Sequence, residues 1–168
     1  GGGRPPTLLF YSRRIGLENK RPVPIVLGSK MAGKAGRTSI GALSVLTDDA
    51  TFRDAGGNLT VPRSNFSVLR MKQDVLARSN VGLIFVNKQT DLSGASGWGN
   101  YNRAGGVDFS YSPTPALNVQ GFVARTWDSD MTKGGNAFWG RFNYQGPVWE
   151  VRAVYQDVDD FFQPEAGY

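Results

Sequence analysis

The sequence predicts an all-β fold: an antiparallel up-and-down transmembrane β-barrel, of which this chain supplies a segment of about eight or nine long strands. Three observations predict it. Apolar and polar residues alternate with a period of two along most of the chain. The alternating segments are nine to twelve residues long, where strands of ordinary soluble sheets run about five or six. The connections between them alternate strictly between short and long. A sheet in which tight turns all fall at one end and extended loops at the other is the pattern of an outer-membrane barrel.

Turn signals divide the chain into Val23–Ala32, Arg37–Thr47, Asn65–Leu76, Asn80–Gln89, Ala104–Ser112, Ala116–Trp127, Asn136–Gln145 and Val148–Asp157, with an earlier strand expected at Thr7–Ile15. Crossing a bilayer obliquely takes about 9–11 residues, so each segment is long enough. The short links are Gly33–Gly36, Ala77–Ser79, Pro113–Pro115 and Gly146-Pro147. The long ones are Asp48–Ser64, Thr90–Arg103 and Asp128–Gly135.

Alternation is clearest in the last hairpin. Phe138, Gly140, Phe142, Tyr144, Trp149, Val151, Ala153 and Tyr155 fall on one face, with Arg141, Asn143, Glu150, Arg152 and Gln156 on the other. Trp139 and Val154 are apolar exceptions on the polar side. Leu69, Met71 and Val75 oppose Arg70, Lys72 and Asp74; Val107, Phe109 and Tyr111 oppose Asp108, Ser110 and Ser112. Ile25, Leu27 and Met31 oppose Gly28 and Lys30. Arg37–Thr47 and Asn80–Gln89 carry apolar residues on both faces. Trp98, Tyr101, Trp127, Trp149, Tyr155, Phe161 and Phe162 lie near segment ends, where interfacial girdles place aromatics.

Composition agrees. The 168 residues include 22 Gly, 10 Phe, 6 Tyr and 4 Trp, and no long window rich in Ala, Leu, Glu and Lys. That mixture suits strands and turns. With no Cys and no His there is no thiol nucleophile, imidazole base, disulfide or Cys/His zinc site. The net charge of +5 is spread from Arg4 to Arg152 without a basic patch, which argues against nucleic acid as a partner. The longest uncharged apolar run, Val81–Val86, is far too short for a membrane helix. Gly1-Gly2-Gly3-Arg4-Pro5-Pro6 has no apolar core of the kind a signal peptide carries.

Several runs carry a family resemblance: Phe10–Gly16, Pro24–Lys34, Ser39–Leu43, Phe66–Arg70, Gly106–Asp108 and Phe162–Gly167. Together they resemble a bacterial family known as domain of unknown function 5916, over nearly the whole chain from Phe10 to Tyr168. In that family a barrel-like region follows a module similar to family-9 carbohydrate-binding modules. The resemblance implies a Gram-negative outer-membrane location and a link to glycan handling or export. It implies no catalytic residues. The carbohydrate-binding module has no counterpart here, so sugar binding does not transfer to these residues. The likeness also implies an internal fragment of a longer chain.

Other motifs fall short of chemistry. Gly28–Ala35 approaches a phosphate-binding loop, but Ala35 stands where the magnesium-holding Ser or Thr belongs, and a strand rather than a helix is expected to follow. Asp128-Ser129-Asp130 opens like a calcium loop, yet Lys133 and Trp139 replace its essential Gly and Glu. Asp157, Asp159 and Asp160 read as a solvated acidic loop. The strand carboxylates Asp74, Asp108, Glu150 and Asp157 could pair for glycoside hydrolysis, but reading them as partners of Arg70, Lys72, Arg141 and Arg152 is simpler.

The expectation is therefore a non-catalytic outer-membrane segment forming a passage or scaffold, with no cofactor and no metal. Its candidate lumen-facing residues are Lys30, Arg70, Lys72, Asp74, Asp108, Arg141, Glu150 and Arg152. Expected partners are outer-membrane lipid and lipopolysaccharide, and glycans through the absent N-terminal module. Residues 1–20 are expected as a leading segment with an additional strand, 21–160 as barrel strands and loops, and 161–168 as the start of a further loop or strand. The alternatives are a soluble β-sheet carbohydrate-binding module using Trp98, Tyr101 and Trp127, and a component of a glycan hydrolase.

Overall fold

The computed structural model describes residues 17–18, 21–54, 57–91, 98–129, 134–162 and 164. The strands are β1 (Leu17–Glu18), β2 (Arg21–Pro22), β3 (Ile25–Ala35), β4 (Thr38–Thr47), β5 (Ala50–Asp54), β6 (Gly57–Val61), β7 (Ser64–Leu76), β8 (Ser79–Asp91), β9 (Trp98–Thr114), β10 (Leu117–Asp128), β11 (Asn136–Gln145) and β12 (Glu150–Val158). No helix occurs among the described residues.

Eight of these strands form one antiparallel meander in the order β3-β4-β7-β8-β9-β10-β11-β12. They correspond one for one to the eight segments of Val23–Asp157 expected from alternation. Thr7–Ile15 lies outside the described residues. At one end of the sheet the turns are tight: Gly36-Arg37, Ala77-Arg78, Pro115-Ala116 and the four residues 146–149. Gly36 takes φ 58°, which a primed hairpin turn requires at its first central position. Gly33–Ala35, expected in that link, instead continue β3.

At the other end the links are long, and two of them differ from expectation. The stretch Asp48–Ser64 is not a plain loop, because β5 and β6 pair within it as a separate hairpin. Ion pairing closes its base, where Arg63 donates to Asp48 from Nη2 at 3.0 Å and Nε at 3.3 Å. In Thr90–Arg103, β8 and β9 extend the ladder to an Asp91–Trp98 pair, so β9 reaches 17 residues.

Sheet register divides the side chains into two sets. Cross-strand partners share a face, and following them from strand to strand gives rows such as Ala32–Gly41–Arg70–Ile84–Gly106–Ala124–Ala137–Val158 and, on the reverse, Met31–Ala42–Leu69–Phe85–Gly105–Arg125–Asn136. We call these the Arg70 face and the Leu69 face. The buried core belongs to the first. Val45, Phe66, Val68, Val86 and Ala104 cluster there beside Leu43 and Ile84. Each buried Val or Phe of this cluster contributes about 1.5–3 kcal/mol.

The two-faced apolar character of Arg37–Thr47 and Asn80–Gln89 is thereby explained. Leu43, Val45, Ile84 and Val86 join this cluster, while Ile40, Leu83 and Phe85 occupy the reverse face, 43–50% exposed. A second cluster sets Phe162 against Ala124 and Ala137. Phe162 is thus a core residue and not part of an exposed aromatic girdle: a turn anchored by Phe162 N–H to the Asp159 carbonyl, 2.9 Å, folds it back onto the sheet.

The sheet is open. β3 and β12 are its two edges, each exposed along its full length, and they do not pair with each other among the described residues. The barrel expected from the sequence is present only as a meander, because neither edge finds the second partner that closure needs.

Candidate functional site

All eight residues expected to face a lumen fall on the Arg70 face: Lys30, Arg70, Lys72, Asp74, Asp108, Arg141, Glu150 and Arg152. Register also adds Lys34, Lys88 and Asp128 to that face. Lys34 and Asp128 escaped the sequence reading because they were assigned to links, and Lys88 because its segment, Asn80–Gln89, carries apolar residues on both faces.

The face is organised by ion pairs and amide contacts. Arg70 on β7 grips Asp108 on β9 with both guanidinium nitrogens, the Nη2–Oδ2 contact at 2.9 Å. The pair spans β8 at Gly82, where a Cβ would come within 2.5 Å of Arg70 Nη2 and 2.6 Å of Asp108 Oδ1. Lys34 Nζ lies 3.2 Å from Asp74 Oδ2. Arg152 pairs with Glu150, whose Oε1 also accepts from Gln145 Nε2 at 3.3 Å. Arg141 donates to Gln120 Oε1 at 2.8 Å and sits 6.0 Å from the Trp139 ring centroid. Asn102 donates to Asp128 at 3.0 Å.

Most of these charges lie in the tight-turn half of this face, whereas the buried apolar cluster of Val45, Phe66, Val86 and Ala104 lies in the long-loop half beside Lys88 and Asp128. The uniformly polar side expected from alternation is therefore interrupted by an apolar cluster in the long-loop half. Trp139 and Val154, the exceptions noted in the sequence, are indeed on this side; Trp139 is buried and stacks on Phe122 with centroids 6.3 Å apart.

Asp74, Asp108 and Glu150 each face a cation, and no two of them contact one another. Asp157 lies on the opposite face, across from Phe138. Among the described residues no three of Asp, Glu, His and Cys converge as a metal site. Asp159 caps its own turn by accepting the Phe161 amide at 3.0 Å. Gly28–Ala35 forms β3, with a tight turn and a strand beyond it, so no helix N-terminus faces that run.

The Leu69 face is the opposite in character. Leu27, Met31, Leu69, Leu83, Phe85, Val107, Phe109, Val123, Phe138 and Phe142 are all exposed on it. Its ionic groups, Arg103, Arg125 and Asp157, stand near the long-loop end. Tyr101 and Trp127 lie at that same end, with Arg103 stacked 4.5 Å from the Tyr101 centroid and Trp127 laid over Gly105. Tyr111 and Tyr144 lie at the tight-turn end, and Trp149 stands 72% exposed in the last turn. Tyr155 is mid-strand, its ring 5.6 Å from that of Phe138. The Trp98 side chain lies outside the described residues.

Fold and faces together define an open antiparallel up-and-down sheet, one face carrying ion pairs and a buried apolar cluster and the other largely apolar and exposed. No protein-family model, curated protein or solved structure matches the chain.

Proposed function

We propose that this chain is a non-catalytic part of an outer-membrane β-barrel, with the Leu69 face against lipid hydrocarbon and the Arg70 face lining a passage or scaffold. The observation that carries the reading is the uncovered Leu69 face. Large apolar side chains lie exposed side by side across neighbouring strands, and contiguous exposed apolar patches mark surfaces that meet a partner or a membrane.

Dimensions support it. Tyr101 and Tyr111 mark the two ends of the Leu69 face on β9, ten residues apart. At roughly 3.3 Å per residue that is about 33 Å along the strand. A strand tilted by about 40° reduces this to about 25 Å along the membrane normal, the height of a barrel's apolar band. Tight turns at one end and long links at the other fit the periplasmic and outward sides respectively.

The free edges fit as well. An even number of meandering strands leaves β3 and β12 antiparallel, so either edge accepts further strands in the same sense, and polar side chains stay on one side throughout. The motif likeness to domain of unknown function 5916 supports the same location and a role in glycan handling or export. The test is flotation of the purified chain with phospholipid vesicles, followed by electrophoresis before and after boiling. Co-flotation with a heat-dependent mobility change is expected. A folded chain remaining in the aqueous fraction would overturn the proposal. Quenching of Trp fluorescence by polysaccharide in that fraction would favour a soluble glycan-binding module at Tyr101 and Trp127.

A further inference from the structure

Two tight turns stand side by side at one end of the sheet. Gly36-Arg37 joins β3 to β4 and Ala77-Arg78 joins β7 to β8, while β4 pairs with β7 between them. The Asp74 amide donates to the Arg37 carbonyl at 2.8 Å, which ties the first turn to β7. Between the turns lies a cavity of about 430 Å³ lined by Lys34, Arg37, Asp74, Arg78, Ser79 and Asn80. That size lies in the range of ligand pockets, about 300–1,000 Å³.

Its charge is unbalanced. Three cations and one carboxylate line it, and the carboxylate is already committed to Lys34 at 3.2 Å. Neither Arg37 nor Arg78 has a carboxylate partner among the described residues. Two guanidiniums on adjacent turns, with an ammonium beside them, form an acceptor-seeking site. Guanidinium forks match the oxygens of a phosphoryl group, and the net positive charge matches its anionic form.

We infer that this cavity binds a phosphoryl group, carried either by a soluble phosphomonoester or by the headgroup of an anionic phospholipid. Arg37 and Arg78 grip its oxygens. Lys34, held in place by Asp74, supplies the third cation. This is not the loop-and-helix cradle that Gly28–Ala35 approaches in sequence; the donors are side chains, two on the turns and one at the end of β3. The inference does not rest on the membrane reading, since the cavity is built from the two turns and the strand ends that flank them.

Amide chemical shifts of the whole chain in a neutral detergent provide the test. Inorganic phosphate and glycerol phosphate form one arm, and bicelles containing phosphatidylglycerol or only phosphatidylcholine form the other. Saturable shifts centred on Gly36, Arg37, Arg78 and Asn80 are expected in at least one arm. Response to the soluble phosphates assigns a phosphomonoester; response confined to phosphatidylglycerol assigns a lipid headgroup. The double variant R37Q/R78Q should weaken binding at least about tenfold, and R37K/R78K should recover part of it. R103Q, at the far end, should change nothing. An unchanged strand signal in circular dichroism establishes that each variant is folded. The inference is overturned by no saturable shift in either arm, by equal shifts with chloride, or by undiminished binding in folded R37Q/R78Q. Flotation reads the membrane assignment separately, so the two can fail independently.

Discussion

Arg70 and Asp108 meet across an intervening strand, and they can do so because residue 82 between them has no side chain. β7 and β9 are both neighbours of β8, so side chains on the same face of β7 and β9 are separated by two strand spacings, about 9.6 Å. A long Arg and an aspartate close that gap over Gly82. A side chain at residue 82 would occupy the space of the ion pair.

This relationship predicts a coupling. Both partners are about one-third exposed, so a double-mutant cycle with R70Q and D108N should give about 0.5–1 kcal/mol, the upper part of the range for solvated pairs. G82V should displace the guanidinium and reduce the coupling to near zero. Urea denaturation of the four variants in each background measures it. Undiminished coupling in G82V would show that the pair re-forms by another route.

Acid should loosen the base of the β5–β6 hairpin. The Arg63 guanidinium hydrogen-bonded to Asp48, with the Asp49 backbone assisting, holds the Asp48 carboxyl below its ordinary value. A carboxyl lowered in the folded state contributes stability above its unfolded pKa, about 3.9, and loses it as pH falls through the folded value. A carboxyl-resolved NMR titration should place the Asp48 midpoint below that of an unstructured aspartate, and R63Q should return it toward the ordinary range.

On the Leu69 face, charge should be costly in lipid. Leu83 is half exposed in the middle of β8 and pairs with Val107 and Met71. L83R should cost about 2–4 kcal/mol of membrane stability if the residue lies at the bilayer midplane. The same cation introduced by S110R on the Arg70 face should cost far less. Vesicle flotation under increasing urea compares them, and equal penalties on both faces would remove the lipid assignment.

The β3–β4 turn should tolerate little at residue 36. With φ at 58°, a β-branched side chain there is strained, and G36V should cost about 1–2 kcal/mol. G36N, which tolerates the left-handed region, should recover most of that loss in the same denaturation assay.

The meander was legible in the sequence because period-2 alternation survives wherever one face must be apolar. Asn136–Gln145 reads directly as β11, and Arg37–Thr47 misses β4 by one residue. Facing was legible for the same reason, which is why Lys30 and Arg152, on opposite edges, fall on one side. What the alternation hid was the buried patch on the ionic side. Val45, Phe66 and Val86 share it with Arg70, and a two-state apolar/polar pattern cannot express a face that changes character along its length. The β5–β6 hairpin was missed because Ala50–Asp54 and Gly57–Val61 are only five residues each and largely polar; the Asp54–Asn58 turn signal between them was the available clue.

Every pairing in the main sheet joins strands adjacent along the chain, except β4 with β7, whose separation is bridged by a hairpin of its own. No strand has to be threaded between two others already in place. Such a sheet can zip up one strand at a time from any interior starting pair, each step closing only the link between two neighbours. Growth at the β3 and β12 margins then repeats the same step, so the number of strands can change without rewiring those already laid down.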